Sequence, residues 1–188
     1  DLSHPIFPEK AVLSDEILKI IGNPNQKLIG IAPFAQYESK VYPLDLMQEV
    51  IAKLAVNQDQ TILLFGGGQQ ETELLDTFAK PFGNVINVAG KIKFTQELQL
   101  ISNLDVMLSM DSGNAHIAAM LGVKVITLWG ATHPYAGFSP FNQPIENALV
   151  ADRNLFPKLP TSVYGNKKVE GYEDAMRTIL PEEVVAKL

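Results

Sequence analysis

The sequence predicts an α/β fold: a Rossmann-like, doubly wound parallel sheet with helices on both faces. Three observations carry that expectation. Short apolar runs recur without polar alternation, as in Lys27 to Ala32, Thr61 to Phe65 and Val123 to Leu128. Strands of that kind belong to sheets covered on both sides. Segments of helical periodicity lie between them, as in Leu44 to Val56. The alternation repeats as five βα-type units in about 100 residues, which indicates a parallel sheet with crossover helices.

The elements follow in order. Asp1-Leu-Ser-His-Pro-Ile-Phe-Pro carries two prolines in eight residues and predicts linker. The chain opens on Asp1 rather than Met, so a piece cut from a longer protein is expected. Ser14 to Gly22 predicts a short helix, with Ser14 as cap, acids in the first turn and Gly22 as terminator. Residues 1–26 are thus expected to form an interdomain linker with a short helix. A strand over Lys27 to Ala32 and a helix over Leu44 to Val56 come next. Thr61 to Phe65 is a strand closed by Gly66-Gly67-Gly68. Gln70 to Lys80 is a helix with Leu74, Leu75 and Phe78 at core spacing. Asn84 to Val88 is a strand, and Thr95 to Asn103 a helix capped by Thr95. Asp105 to Ser109, Ser112 to Leu121 and Val123 to Leu128 predict strand, helix and strand. After Trp129 the rhythm fails. One strand is expected near Ala148 to Ala151, completing a domain over 27–150. Residues 151–188 are expected to be a loop and helical tail, with helical pieces over Glu173 to Ile179 and Glu182 to Lys187, Pro181 starting the second.

Composition narrows the function. The 188 residues carry a net charge of −6, with Arg153 and Arg177 the only arginines, against the basic stripe of a nucleic-acid binder. With no cysteine there is neither a disulfide nor a thiolate metal site. His4, His116 and His133 lack zinc-ligand spacing, so no metal site is expected. No apolar run approaches the roughly 18 residues of a membrane-spanning helix. Asp-Ser-Gly is not the Gly-x-Ser-x-Gly of a nucleophile elbow. A bound anion would need local positive potential from a lysine or a helix N-terminus.

Open parallel sheets bind ligands beyond the carboxyl ends of their strands. The loop after Ser109 is the most informative. Asp111-Ser112-Gly113 joins a buried strand to an Ala-rich helix. Gly113 admits close approach of a ligand, and the first-turn amides favour phosphate. Ser112 and His116, four apart, and Gly113, three before His116, share one helix face. Asp111 would repel the same anion, so hydrogen bonds from sugar hydroxyls suit it better. The spacing alone fits equally well a plain cap by Asp111 or Ser112, with His116 packed at the edge. Lys40, shortly before Pro43, is an obvious counter-charge for phosphate, though composition alone favours a solvated surface lysine. Gly66-Gly67-Gly68 lacks a Walker ending or a dinucleotide fingerprint and signals only close backbone approach or a tight turn. Lys91-Ile92-Lys93 is a candidate contact for base or ribose. In Gly130-Ala131-Thr132-His133-Pro134, His133 is expected to be an exposed loop histidine.

Asp111-Ser112-Gly113-Asn114-Ala115-His116, the Ala-rich helix to Leu121-Gly122, and Gly130-Ala131-Thr132-His133-Pro134 resemble glycosyltransferase family 9, the ADP-heptose:lipopolysaccharide heptosyltransferases. The resemblance covers roughly residues 27 to 140. It implies the C-terminal, donor-binding half of a GT-B enzyme that is inverting and metal-independent. No cofactor is implied; the nucleotide sugar, ADP-heptose, is a substrate. Lys40 would contact the donor phosphates, Ser112 and Gly113 the diphosphate, and Asp111 and His116 the sugar and its phosphate. Lys91 and Ile92 would lie near the nucleoside, and Gly67 and Gly68 would form the glycine loop of the donor site. The catalytic base and the lipopolysaccharide-core acceptor would belong to a separate N-terminal domain, so no catalytic residue is expected here, nor any turnover. The resemblance implies a cytoplasmic enzyme, peripheral at the inner membrane in its full-length form. The chain departs from the family pattern in several places. Ala35 and Gln36 replace hydroxyl residues, Val41-Tyr42-Pro43 replaces Arg-Trp-Pro, and Glu71 is the nearest acid after the glycine loop. The competing expectations are a flavodoxin-like or receiver-like binding module and a nucleotide-sugar epimerase-type relative.

Overall fold

Six strands pair side by side into one all-parallel sheet in the order β3-β2-β1-β4-β5-β6. They are β1 (Lys27–Ala32), β2 (Gln60–Leu64), β3 (Val85–Asn87), β4 (Val106–Met110), β5 (Lys124–Trp129) and β6 (Ala148–Val150). The computed structural model describes residues 4–188; Asp1, Leu2 and Ser3 of the expected linker lie outside the described residues. The strand order is that of the doubly wound dinucleotide-binding fold. It differs from the 2-1-3-4-5 order of flavodoxin-like sheets, which sets the flavodoxin-like and receiver-like alternative aside.

The crossover helices explain why the strands are apolar throughout. On one face, α2 (Leu44–Ala55), α3 (Gly68–Ala79) and α6 (Pro181–Lys187) bury Val50, Ile51, Leu75 and Val184 against Ile29, Ile31 and Ile62. On the other, α1 (Asp15–Ile21), α4 (Phe94–Ile101) and α5 (Gly113–Met120) bury Ile17, Leu100, Ala115 and Ala118 against Leu28, Leu63 and Met107. Every residue of β2 and β4 is buried, and β1 and β5 expose only Lys27 and Lys124. Those two lysines reach the carbonyls of Leu188 and Lys187 at the end of α6, where the helix dipole favours cations.

The expected elements stand, with differences of physical origin. Helix α1 begins as expected, the Ser14 hydroxyl accepting from the Ile17 amide. Thr95 does not cap α4. The helix starts one residue earlier, at Phe94, because the Gln96 side chain turns back to accept from the Lys93 amide at 2.8 Å. The expected helix over 173–179 is only a 3-10 turn, Ala175–Thr178. Its amides reach back three residues, Arg177 to Asp174 and Ile179 to Met176, and the Tyr42 hydroxyl donates to the Ile179 carbonyl at 2.7 Å. The C-terminal segment also adds Met176, Ile179 and Val184 to the core over α2.

Candidate functional site at the switch point of the sheet

Strand order reverses between β1 and β4, so the connections leaving their carboxyl ends diverge and open a crevice. The β1 connection contains a 3-10 turn, Glu38–Lys40, and Pro43 then starts α2. The β4 connection is two residues long, Asp111 and Ser112, before α5. Lys40 and Asp111 meet across the crevice, with Nζ 2.8 Å from Oδ2.

The surface-lysine expectation for Lys40 is wrong: its side chain is 12% exposed, and that of Asp111 5%. The C-terminal segment covers the lysine stem, Gly165 lying so close that a Cβ there would stand 2.9 Å from Lys40 Cγ. Among the described residues Asp111 Oδ2 has no partner in hydrogen-bond alignment, so the contact with Lys40 is an ion pair held by charge and proximity. Burying such a pair costs desolvation of both ions and seldom favours folding. A pair of this kind at the mouth of a crevice is a site feature more than a structural one. It also bears on the repulsion expected between Asp111 and an anion, because Lys40 compensates that carboxylate.

Helix α5 begins with Ser112 in extended backbone, φ −151° and ψ 169°, and the Ser112 side chain does not cap it. The Ser112 hydroxyl lies 3.0 Å from that of Ser109, and Asp111 is taken up by Lys40. The plain side-chain cap is therefore not formed, and among the described residues no side chain accepts from the first-turn amides. A Cβ on Gly113 would meet no atom within 4 Å, so the approach to the helix terminus is open. His116 follows one turn later, half-buried. Lys40, Asp111, Ser112, Gly113 and His116 are thus gathered around the switch point.

The remaining predicted residues line the same edge of the sheet on the β2 and β3 side. Gly67 and Gly68 are exposed, with open space around each Cα, and Gly68 has φ +71°. The Gly67 amide donates to Glu71 Oε2 at 2.8 Å, so the nearest acid after the loop folds back onto it. Lys91, exposed, lies 3.3 Å from Asp76 of α3, which partly neutralises it. Ile92 packs against the second core.

Sequence reasoning missed the residues that enclose Lys40. Thr132 is 1% exposed and its Oγ1 has no hydrogen-bond partner among the described residues. Gly130 has no room for a side chain: a Cβ would stand 2.6 Å from Met176 Sδ and 2.9 Å from the Ser39 carbonyl oxygen. The C-terminal segment returns over this loop. Thr161 donates its amide to the Ala131 carbonyl at 2.9 Å, and the Ser39 hydroxyl donates to the Gly165 carbonyl. His133 is half-buried rather than exposed, because its Nδ1 accepts from the Tyr135 amide at 3.2 Å and its ring lies 5.1 Å from that of Tyr135. Burial, then the charge of Arg153, holds its pKa below the ordinary histidine value.

Comparison with known proteins gives the family. Residues 8–167 match the profile of glycosyltransferase family 9 (heptosyltransferase). Lipooligosaccharide heptosyltransferase 2 of Haemophilus influenzae is 27% identical over 168 residues, 86% of this chain and 46% of that protein. Among solved structures, the ADP-heptose lps heptosyltransferase II of E. coli superposes with a TM-score of 0.69 at 21% identity, over 97% of this chain and 52% of that one. E. coli heptosyltransferase WaaC with ADP gives 0.67 at 18% identity, over 89% and 45%. The chain spans about half the length of the curated relatives it matches.

Proposed function

The chain belongs to glycosyltransferase family 9, the heptosyltransferases, and from that premise we propose that it is the part of such an enzyme that binds the nucleotide-sugar donor. The single observation that carries this reading is the compensated, buried Lys40–Asp111 pair at the switch point, beside a helix terminus that the Ser112 side chain does not cap. The donor is ADP-heptose, a reading supported by two solved structures in which E. coli WaaC was captured with ADP and with ADP-2-deoxy-2-fluoro heptose.

In this proposal the diphosphate lies over the amides of Ser112 and Gly113, with Lys40 at its flank. A hydroxyl of the lipopolysaccharide-core acceptor attacks the anomeric carbon, the carbon–oxygen bond to the diphosphate breaks, and the nucleoside diphosphate leaves from the opposite face with inversion. Negative charge grows on the leaving group, and Lys40 and the start of α5 stabilise it where it develops. Asp111 orients the lysine and accepts from a sugar hydroxyl, while His116 reaches the phosphate nearer the sugar. Lys91, Ile92, Gly67 and Gly68 border the nucleoside. The acceptor hydroxyl needs a base, which we assign to an N-terminal domain outside these residues. Charge neutralisation runs through Lys40 and backbone amides without a metal ion.

Calorimetry of the 188-residue chain against ADP, UDP and GDP tests the reading. ADP is expected to bind tightest, with Lys40→Ala weakening it about tenfold, as for loss of one charge-assisted contact. His116→Ala is expected to weaken it less, and chelator to leave it unchanged. Equal binding of all three nucleotides, untouched by either substitution, would sink the site assignment. Transfer of heptose by the isolated chain would overturn the placement of the base elsewhere.

A further inference from the structure

We infer that residues 161–168 form a strap that positions Lys40, with Gly165 as the position where strap and lysine meet. The inference rests on the donor-binding reading above and extends it to a segment that this reading leaves without a role.

The strap is closed on itself and held at its start and its middle, with an exposed ion pair at its far end. Thr161 Oγ1 donates to the Lys167 carbonyl at 2.8 Å, and the Ser162 hydroxyl pairs with Asn166 Oδ1 at 3.1 Å. At its start the Thr161 amide holds the Ala131 carbonyl, and at its end Lys168 lies 3.1 Å from Glu38. Between these anchors the Ser39 hydroxyl donates to the Gly165 carbonyl, fixing the strap to the residue immediately before Lys40. Gly165 adopts φ +73°, a conformation that costs other residues strain. A Cβ added there would stand 2.9 Å and 3.0 Å from Lys40 Cγ and Cδ, and 3.0 Å from Thr132 Cγ2. The two lysine atoms belong to its stem rather than its mobile tip. With the strap held by Ser39 and Thr161, the lysine stem is the group that must give. The bare Cα of Gly165 and the methyl of Thr132 therefore form a channel wall that aims Nζ into the crevice, at Asp111 in the unliganded protein. A free lysine on a four-carbon stem would lose more rotamer freedom on taking up a phosphate, and prepaying that ordering favours binding.

The test measures ADP affinity of the 188-residue chain by calorimetry, with thermal melts run alongside. Gly165→Ala is expected to weaken ADP about tenfold and Ser39→Ala, which adds no bulk, about threefold. The reporting measurement is non-additivity: Lys40→Ala/Gly165→Ala is expected to bind ADP within twofold of Lys40→Ala alone, because a strap with no lysine to aim has nothing further to lose. A merely structural role for the strap would instead make the two losses multiply, and that result overturns the inference. So does wild-type affinity in Gly165→Ala while Lys40→Ala is weakened, an outcome that leaves the donor reading intact. Wild-type affinity in Lys40→Ala overturns the donor reading and the strap with it. Should Gly165→Ala fail to fold, Ser39→Ala and Ser39→Ala/Lys40→Ala decide by the same comparison.

Discussion

Lys40 and Asp111 are each other's nearest compensation in a space where water is scarce, so removing one partner has a stability consequence separate from ligand binding. Lys40→Met leaves the Asp111 carboxylate buried without its counter-charge, a loss expected to cost about 3 kcal/mol in urea unfolding, at the lower end for broken buried pairs because Lys40 is not fully enclosed. Adding Asp111→Asn is expected to restore more than half of that loss while leaving nucleotide binding defective. No recovery in the double variant would mean that the pair is not a unit. Tyr42 offers a second case. Burial first, then Glu49, Asp45 and other carboxylates, pushes its phenol well above the ordinary tyrosine value, so it remains a donor to the Ile179 carbonyl at any working pH. Tyr42→Phe strands that carbonyl and is expected to cost about 1–2 kcal/mol. His133 gives a pH dependence. Its folded pKa lies below the unfolded value near 6.5, so its stabilising contribution is complete above that value and is lost as pH falls through the folded pKa. Unfolding midpoints at pH 7.5 and 5.5 should converge in His133→Gln relative to the parent; an unchanged difference would remove His133 from the acid response.

Elements show how local chemistry and packing divide the work. Gly67 and Gly68 both face open space, yet only Gly68 has a positive φ. Gly68→Ala is therefore expected to cost about 1 kcal/mol through backbone strain, and Gly67→Ala to stay within about 0.5 kcal/mol, in parallel melts. Equal costs would show that the turn, not φ, sets the requirement. The same elements mark what could be read in the sequence. The helices expected over Leu44 to Val56 and Gln70 to Lys80 were legible because helical periodicity and burial agree there, and the structure places them at Leu44–Ala55 and Gly68–Ala79. The start of α4 was not, since Thr95 has cap chemistry but Gln96 satisfies the terminus first. The turn at Ala175–Thr178 was misjudged as a helix because its amides bond three residues back and its neighbour Ile179 is held by a side chain 137 residues away.

At the scale of the whole molecule, three distant stretches converge on the end of β5. Gly130 is where they touch: Ser39 from the β1 connection and Met176 from the C-terminal segment leave it no room. Gly130→Ala should overpack this junction and cost about 1–3 kcal/mol, reported by a lower melting temperature and by weakened ADP binding, since Lys40 sits one residue beyond Ser39. A variant as stable as the parent would show that the junction can relax.

The parallel sheet covered by helices on both faces was legible in the sequence itself, since strands apolar on both faces and separated by amphipathic helices must bury both surfaces; the strand order was decided by the tertiary structure. The Asp111 to His116 segment stood out for a local reason, its polar groups falling at one strand end and the first turn of the helix that follows. The partner of Lys40, the burial of His133 and the strap at Gly165 were decided only by tertiary structure. Each depends on residues separated by tens of positions in the chain, and periodicity carries no information about which side chains the sheet brings together at its edge. What looked like a solvated lysine and a lone carboxylate became a single buried pair because strand order places β1 beside β4.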